Sequence, residues 1–263
     1  MNYRILSGLI LAVITVAVLT APLARAQADS TMYIVVGCMK STSSDYVDVE
    51  RDLWLPMHQE MVNQGQKAGW ALYQVRFGFR DECDHYTVNR YIGADAVAGA
   101  FMDLPAIFAK VHPDADMDEA VERTLASREM VWSQLFALAG GIPPESFQYA
   151  HVNRMQASNE DAYIDYEMDT FRPVHQALVD DGITKGWLVL ALVRPHGSAM
   201  KYNFTTVDFA DHPRPIPFAE YVAKVHPDRT LQEIIEQGES VRELVLSETW
   251  HLLARTDAMM NDE

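Results

Sequence analysis

WLPMHQEMVNQGQKAGW, residues Trp54 to Trp70, returns later in the chain as FRPVHQALVDDGITKGW, residues Phe171 to Trp187. Pro56, His58, Gln59, Val62, Gly65, Gly69 and Trp70 recur as Pro173, His175, Gln176, Val179, Gly182, Gly186 and Trp187, each 117 residues on. A second shared string, AKVHPD at 109 to 114 and 223 to 228, recurs at an offset of 114, as do Arg128-Glu129 and Arg242-Glu243. The drift from 117 to 114 implies a three-residue deletion in the hairpin and following loop. The chain is built twice.

Each half reads in the same order. MYIVVGCM (Met32 to Met39) is β-branched and apolar, as a buried strand is. Tyr46 to Asn63 reads as a helix with Gly65 just past its end. Trp70 to Phe79 and His85 to Ile92 read as a hairpin around RDECD. Ala94 to Val111 is helical but interrupted by Pro105. Asp116 with Glu119 predicts a capping box for a helix running to about Ser133, and Leu135 to Ala139 a short closing strand. The second half repeats this with a strand over Phe147 to Met155 and a helix over Tyr163 to Asp180. A hairpin follows from Trp187 to Arg194 and Tyr202 to Asp208, then helices from Phe218 to Val225 and from Thr230 to about Ser247. Trp250 to Arg255 reads as the last strand. Pro56 and Pro173 lie inside helical patterns, where proline costs about 3 kcal/mol unless the helix kinks.

A βαββα(β) unit is ferredoxin-like and leaves one sheet face uncovered. Two such units in one chain predict an α+β fold: tandem ferredoxin-like units, over 32–142 and 147–256, whose sheets pack into one intramolecular α/β barrel. Residues 1–26 read as a signal peptide, with Arg4, an apolar run from Ile5 to Leu19 and an Ala24-Arg25-Ala26 cleavage pattern. The alternative is an uncleaved anchor, for which the run is short. Cleavage predicts an exported protein, periplasmic or secreted.

The formal charge is −16, or −18 once Arg4 and Arg25 are removed, which argues against nucleic acid and anionic membrane surfaces as partners. Export would permit a Cys38–Cys83 disulfide; otherwise both are free thiols. No C-x-x-C or His/Cys cluster suggests a metal.

Candidate chemistry sits on the repeated stretch. Glu50, Trp54 and His58 fall on one helical stripe, and Glu167, Phe171 and His175 repeat it. These histidines are candidate catalytic bases, or else they pack at a helix–sheet seam and bond backbone carbonyls. Trp70 and Trp187 are core or cleft walls. His112 and His226, each before a proline and two residues after a lysine, read as helix punctuation or as a duplicated Lys–His pair. At offset 117, Ile34, Val36 and Cys38 match His151, Asn153 and Met155, so the second half alone gains His151 and Asn153 on one strand face. With Asn89 beside Thr87 and Asn203 beside Thr205, this predicts a polar barrel interior or ligand cavity, or strands out of phase by one. His58, His175 and His151 are therefore the candidate bases. Glu50, Trp54, Trp70, Asn89, Asn153, Glu167, Phe171 and Trp187 are the candidate ligand contacts.

The two units resemble the dimeric α/β-barrel superfamily in its tandem form, and within it NIPSNAP-like chains. The resemblance rests on the aromatic–Pro–Gly–aromatic pattern of Trp54, Pro56, Gly65 and Trp70, repeated as Phe171, Pro173, Gly182 and Trp187. The His-Pro after the second helix is also similar to plant polyketide cyclases. Those carry a further catalytic His where this chain has Ala115 and Arg229, so the cyclase chemistry does not carry over. The resemblance implies a small apolar or aromatic ligand in a protein acting as monomer or homodimer, with no resident cofactor in an oxygenase or isomerase. It also admits haem held by one of the histidines, or a non-catalytic module.

Overall fold

A computed structural model describes residues 29–100 and 103–257. The predicted signal segment lies outside the described residues. β1 (Met32–Ser41) leads into α1 (Tyr46–Val49), a π-helical turn (Glu50–Trp54) and α2 (Leu55–Asn63). β2 (Gly69–Phe77) and β3 (His85–Ile92) follow, then α3 (Ala94–Ala98), α4 (Leu104–Val111), α5 (Met117–Ser127) and β4 (Arg128–Ile142). The second half runs β5 (Tyr149–Ala157), α6 (Glu160–Tyr166), a π turn (Glu167–Phe171), α7 (Arg172–Asp180), β6 (Gly186–Arg194) and β7 (Phe204–Ala210). It ends with α8 (Phe218–Val225), α9 (Leu231–Val241) and β8 (Arg242–Arg255).

The eight strands close into one antiparallel barrel in the order β1-β3-β2-β8-β5-β7-β6-β4. Each half supplies four neighbours, and the seams are β2 against β8 and β4 against β6. Closure leaves no sheet edge unpaired. Trp70 and Trp187, on the outer face of β2 and β6, are 1 % exposed, so helix-on-sheet packing is dense there. Burying roughly 200 Å² of each indole removes about 5 kcal/mol of transfer free energy from water.

The predicted helix kinks are π turns. The Leu55 amide donates to Glu50 O and the Arg172 amide to Glu167 O, each five residues back, one residue before the proline. The wider turn absorbs the missing proline N–H. The HPD histidines brace these turns: His112 Nε2–H donates to Leu53 O at 3.0 Å and His226 Nε2–H to Thr170 O at 2.9 Å. They are punctuation, as one of the two readings had it.

Four expectations need correction. The helices expected to reach Ser133 and Ser247 stop at Ser127 and Val241, and the closing strands are long, starting at Arg128 and Arg242. No Gly or Pro marks these ends; the two arginines turn inward to face buried Glu50 and Glu167, and that tertiary pairing overrides helical composition. The capping box is complete at Thr230/Glu233, whereas Asp116 only accepts from Asp118 and Glu119 amides. The offset does not drift by one deletion. Trp70 lies opposite Asn89 and Trp187 opposite Asp208, an offset of 208 − 89 = 119 in the hairpin, so two residues are gained there before five are lost in the loop.

The fourth correction concerns β1 and β5. Val35 faces Asn89 as His151 faces Asp208, so the offset is 151 − 35 = 116 and the strands were one residue out of phase. Asn153 corresponds to Gly37, and Cys38 to Arg154. His151 and Asn153 do share a face, but Ala150, Val152 and Arg154 line the barrel interior. The polar pair looks outward at the helices, and the interior is mostly apolar, with Thr205 as one of few polar walls. Cys38 and Cys83 are bonded, tying β1 to the loop before β3.

Candidate functional site

The repeated stretch builds the same seam twice. In each half a π turn presents a buried glutamate, the following helix presents a histidine, and the next strand supplies the tryptophan on which it stacks. His58 lies 4.8 Å from the Trp70 ring and His175 4.5 Å from Trp187, the latter nearly parallel at 10°. Burial pushes Glu50 up to about 6 and Glu167 up to about 7.

The first seam is closed. Lys67 is 4 % exposed, and its Nζ lies 3.0 Å from His58 Nδ1 and donates to Asn89 Oδ1 at 2.8 Å. Burial pulls Lys67 down to about 7. Burial, then Lys67 and Arg128, hold His58 well below the usual imidazole range. Glu50 accepts from Arg128 Nε at 2.9 Å. Trp54 donates to the Thr124 hydroxyl at 3.0 Å. The polar groups are occupied with one another.

The second seam keeps its groups open. Thr184 stands where Lys67 does, and Asp208 where Asn89 does. A cavity of about 210 Å³ lies here, walled by Phe171, Trp187 and Phe218 and reached by His175, Asp208 and Glu167. His175 Nδ1 and Asp208 Oδ1 are 3.2 Å apart but not aligned as a hydrogen bond. Arg242 Nε is 3.8 Å from Glu167, too far for a bond. The atoms Thr184 Oγ1, Asp208 Oδ1, His175 Nδ1 and Arg242 Nε are all buried without hydrogen-bond partners. Burial pulls His175 down to about 3 and, with Glu167 nearby, pushes Asp208 up to about 7. The cavity thus holds a neutral imidazole beside two carboxyl groups that titrate near neutrality, the arrangement acid–base chemistry uses.

Of the predicted residues, His175, Glu167, Phe171, Trp187 and Asn153 converge on this cavity. Asn153 accepts from Ser247 at 2.7 Å. His58, Glu50, Trp54, Trp70 and Asn89 gather at the closed seam. His151 stands beside Asp208 across the β5–β7 ladder, bonded to Thr249 at 3.0 Å, and outside the cavity lining. Sequence reasoning missed Asp208, Arg242, Lys67, Arg128 and Thr184. The duplicated Arg-Glu pair and the Lys67/Thr184 mismatch inside the repeat were visible signals. Asp208 was hidden by the hairpin insertion. Among the described residues no cluster of three His, Cys, Asp or Glu could hold a metal ion.

No family model and no curated protein matches the chain. Solved structures do. A candidate monooxygenase from Fusobacterium nucleatum is similar over 87 % of this chain and 94 % of its own, at 10 % identity and a TM-score of 0.51. A candidate monooxygenase from Lactobacillus acidophilus covers 86 % and 96 % at 10 % identity and 0.48. A haem-binding protein from Thermus thermophilus covers 86 % and 94 % at 12 % identity and 0.43. At such identities the likeness establishes the fold alone. The fold is that of the ferredoxin-like dimeric α/β barrel, here closed within one chain.

Proposed function

We propose that the seam of the second half binds a small aromatic molecule and moves a proton on it. The observation that carries this is the cavity at His175, where His175 Nδ1, Asp208 Oδ1 and Arg242 Nε have no hydrogen-bond partner among the described residues while His58, Asn89 and Arg128 of the first half are bonded. Trp187, Phe171 and Phe218 would hold a planar ligand. His175 Nε2 accepts no bond among the described residues and would take the proton from an acidic C–H or O–H. Asp208 behind Nδ1 would stabilise the imidazolium so formed, and Arg242 the developing oxyanion. Because Asp208 must be ionised to do so, the rate should rise with pH through about 7. The reaction class is an isomerisation, or the deprotonation that opens a cofactor-free oxygenation. Asn153 would shape the strand side of the site, with His151 behind it beside Asp208. His58, at the closed seam, supports structure.

The test is titration with 1-naphthol and 1-tetralone, followed by Trp187 fluorescence. The native protein should bind at least one of them, and His175→Ala should weaken binding at least tenfold. Equal binding by native and variant proteins would falsify this reading.

Haem is a second reading, favoured by the neutral His175 with a carboxyl group behind its Nδ1, the pattern of a ligating histidine. The donors suit it: His175 would hold the iron and Arg242 would meet a carboxylate of the group. Haem would supply redox chemistry there. A Soret band that appears on haem addition and vanishes in His175→Ala would decide for it.

We also propose export, supported by the Cys38–Cys83 bond, which suits an oxidising compartment. A mature protein starting at Gln27 by mass spectrometry is the expected result. Within the superfamily, a NIPSNAP-like affinity rests on the aromatic–Pro–Gly–aromatic pattern alone.

A further inference from the structure

The seam of the second half has an outer room. A pocket of about 410 Å³ lies between the turn after α7, at Gly182 and Ile183, and the segment from Asp211 to Pro217 that joins β7 to α8. Ile216 belongs both to its lining and to that of the seam cavity, so the two spaces meet at that residue. The first half spans the same gap with the longer segment 93–103, which carries α3; the second half has no helix there. Pro213, Pro215 and Pro217 instead fix φ near about −65° at three positions, so the shorter segment stands as a preformed rim.

The charges of this rim are uneven. The titratable groups lining the outer pocket are Asp211, His212 and Arg214. Asp211 is answered by Lys185 at 3.0 Å. Asp181, beside Gly182, accepts from Lys224 at 2.7 Å and from the Tyr221 hydroxyl at 2.9 Å. Arg214 is exposed, and among the described residues no ion pair or hydrogen bond engages it. In a chain of formal charge −16, an unanswered cation at the mouth of a cavity is a local exception. The inner end has the opposite character: Glu167 and Asp208 there disfavour a second carboxylate. A ligand with one acidic hydroxyl and one carboxylate would therefore enter in a single sense.

On the reading of the seam as a ligand site, on which this rests, we propose that the ligand is an aromatic acid. Its ring lies among Trp187, Phe171 and Phe218, with the acidic O–H or C–H inward at His175. Its carboxylate points outward past Ile216 to Arg214, whose planar fork matches a carboxylate. Arg214 is thus a specificity-determining residue, with no part in the proton transfer itself.

Calorimetric titration with 1-naphthol, 5-hydroxy-1-naphthoate and the neutral 5-hydroxy-1-naphthamide tests this. The native protein should bind the carboxylate about fivefold more tightly than the carboxamide, the scale of an exposed charge pair. Raising sodium chloride from about 0.05 to about 0.5 M should remove most of that preference. Arg214→Gln should erase it and Arg214→Lys should keep part of it. Arg194→Gln, exposed and outside both linings, should leave it unchanged. Equal binding of carboxylate and carboxamide by the native protein, or a preference that survives Arg214→Gln, overturns the proposal; with 1-naphthol still bound and lost in His175→Ala, the reading of the seam stands. If none of the three compounds binds, that reading fails and the aromatic acid falls with it.

Discussion

The two seams are the same machine in two states of commitment. In the first, Lys67 reaches between His58 and Asn89, and Glu50 is held by Arg128 at 2.9 Å. In the second, Thr184 is too short to reach anything, Asp208 replaces the amide, and Arg242 stands off Glu167 at 3.8 Å. Backbone, tryptophan, histidine and π turn are shared. Substitutions such as Lys67 to Thr184 and Asn89 to Asp208 therefore help separate a filled seam from an open one. The lesson is that duplicated architecture identifies the module, while the residues that break the duplication identify the site.

The largest effect should come from the disulfide, which only the first half has. Replacing both Cys38 and Cys83 with Ser opens a loop of 45 residues and should cost about 4 kcal/mol in denaturant unfolding. The same substitution pair has no counterpart in the second half, where Arg154 occupies the position of Cys38. Next, His58→Ala should lower stability by about 3 kcal/mol, since it empties a buried site stacked on Trp70. His175→Ala should cost less, about 1 kcal/mol, because its nitrogens hold nothing in place.

The halves should also titrate differently. Lys67 has a folded value of about 7 against 10.5 in the open chain, so the unfolded state carries the extra proton between them. Stability should rise with pH from about 7 to 10.5, and Lys67→Met should flatten that rise. Asp208 is the reverse: the folded state holds the extra proton between 3.8 and about 7, so its contribution falls with pH across that window. His175, folded at about 3 against 6.5, contributes a rise across an overlapping window. In the native protein these two nearly cancel. Asp208→Asn should uncover the rise and His175→Gln the fall, both read by thermal melts from pH 4 to 7. A flat difference for either variant would show that the pair is not coupled as described.

The smallest change in stability, and the sharpest test of the comparison, is a transplant. Thr184→Lys places the plug of the first seam into the second, facing Asp208 and His175. Because Thr184 is buried, desolvation of the lysine offsets its attraction to Asp208 and the net change in stability should stay within about 1 kcal/mol either way, yet naphthol binding should fall at least tenfold. If binding is retained, the Lys67/Thr184 difference is not what opens the cleft.

Much of the fold was legible because duplication is a signal that needs no energetics. The repeated aromatic-Pro-His-Gly-Trp spacing placed helix, turn and strand, and the strand at 85–92 falls where alternation put it. The strands β4 and β8 were not legible, since Arg128 and Arg242 start them in answer to glutamates some 75 residues earlier. The site was half legible. His175 and Trp187 lie inside the repeat, where any comparison of the halves finds them. Asp208 lies past a two-residue insertion, so it aligned with nothing, and the phase of β5 slipped because a separate one-residue insertion lies between it and the repeated helix. Side-chain chemistry set by register cannot be read until register is known.

Closure of the barrel within one polypeptide has a consequence for how such a molecule can change. Where two identical half-barrels close a barrel by pairing, every substitution arrives in both at once, and a lysine that plugs one seam plugs the other. In this chain each seam is encoded separately. A mutation at 67 leaves 184 untouched, so one copy is free to become a fixed strut while the other drifts toward chemistry, and neither has to wait for the other.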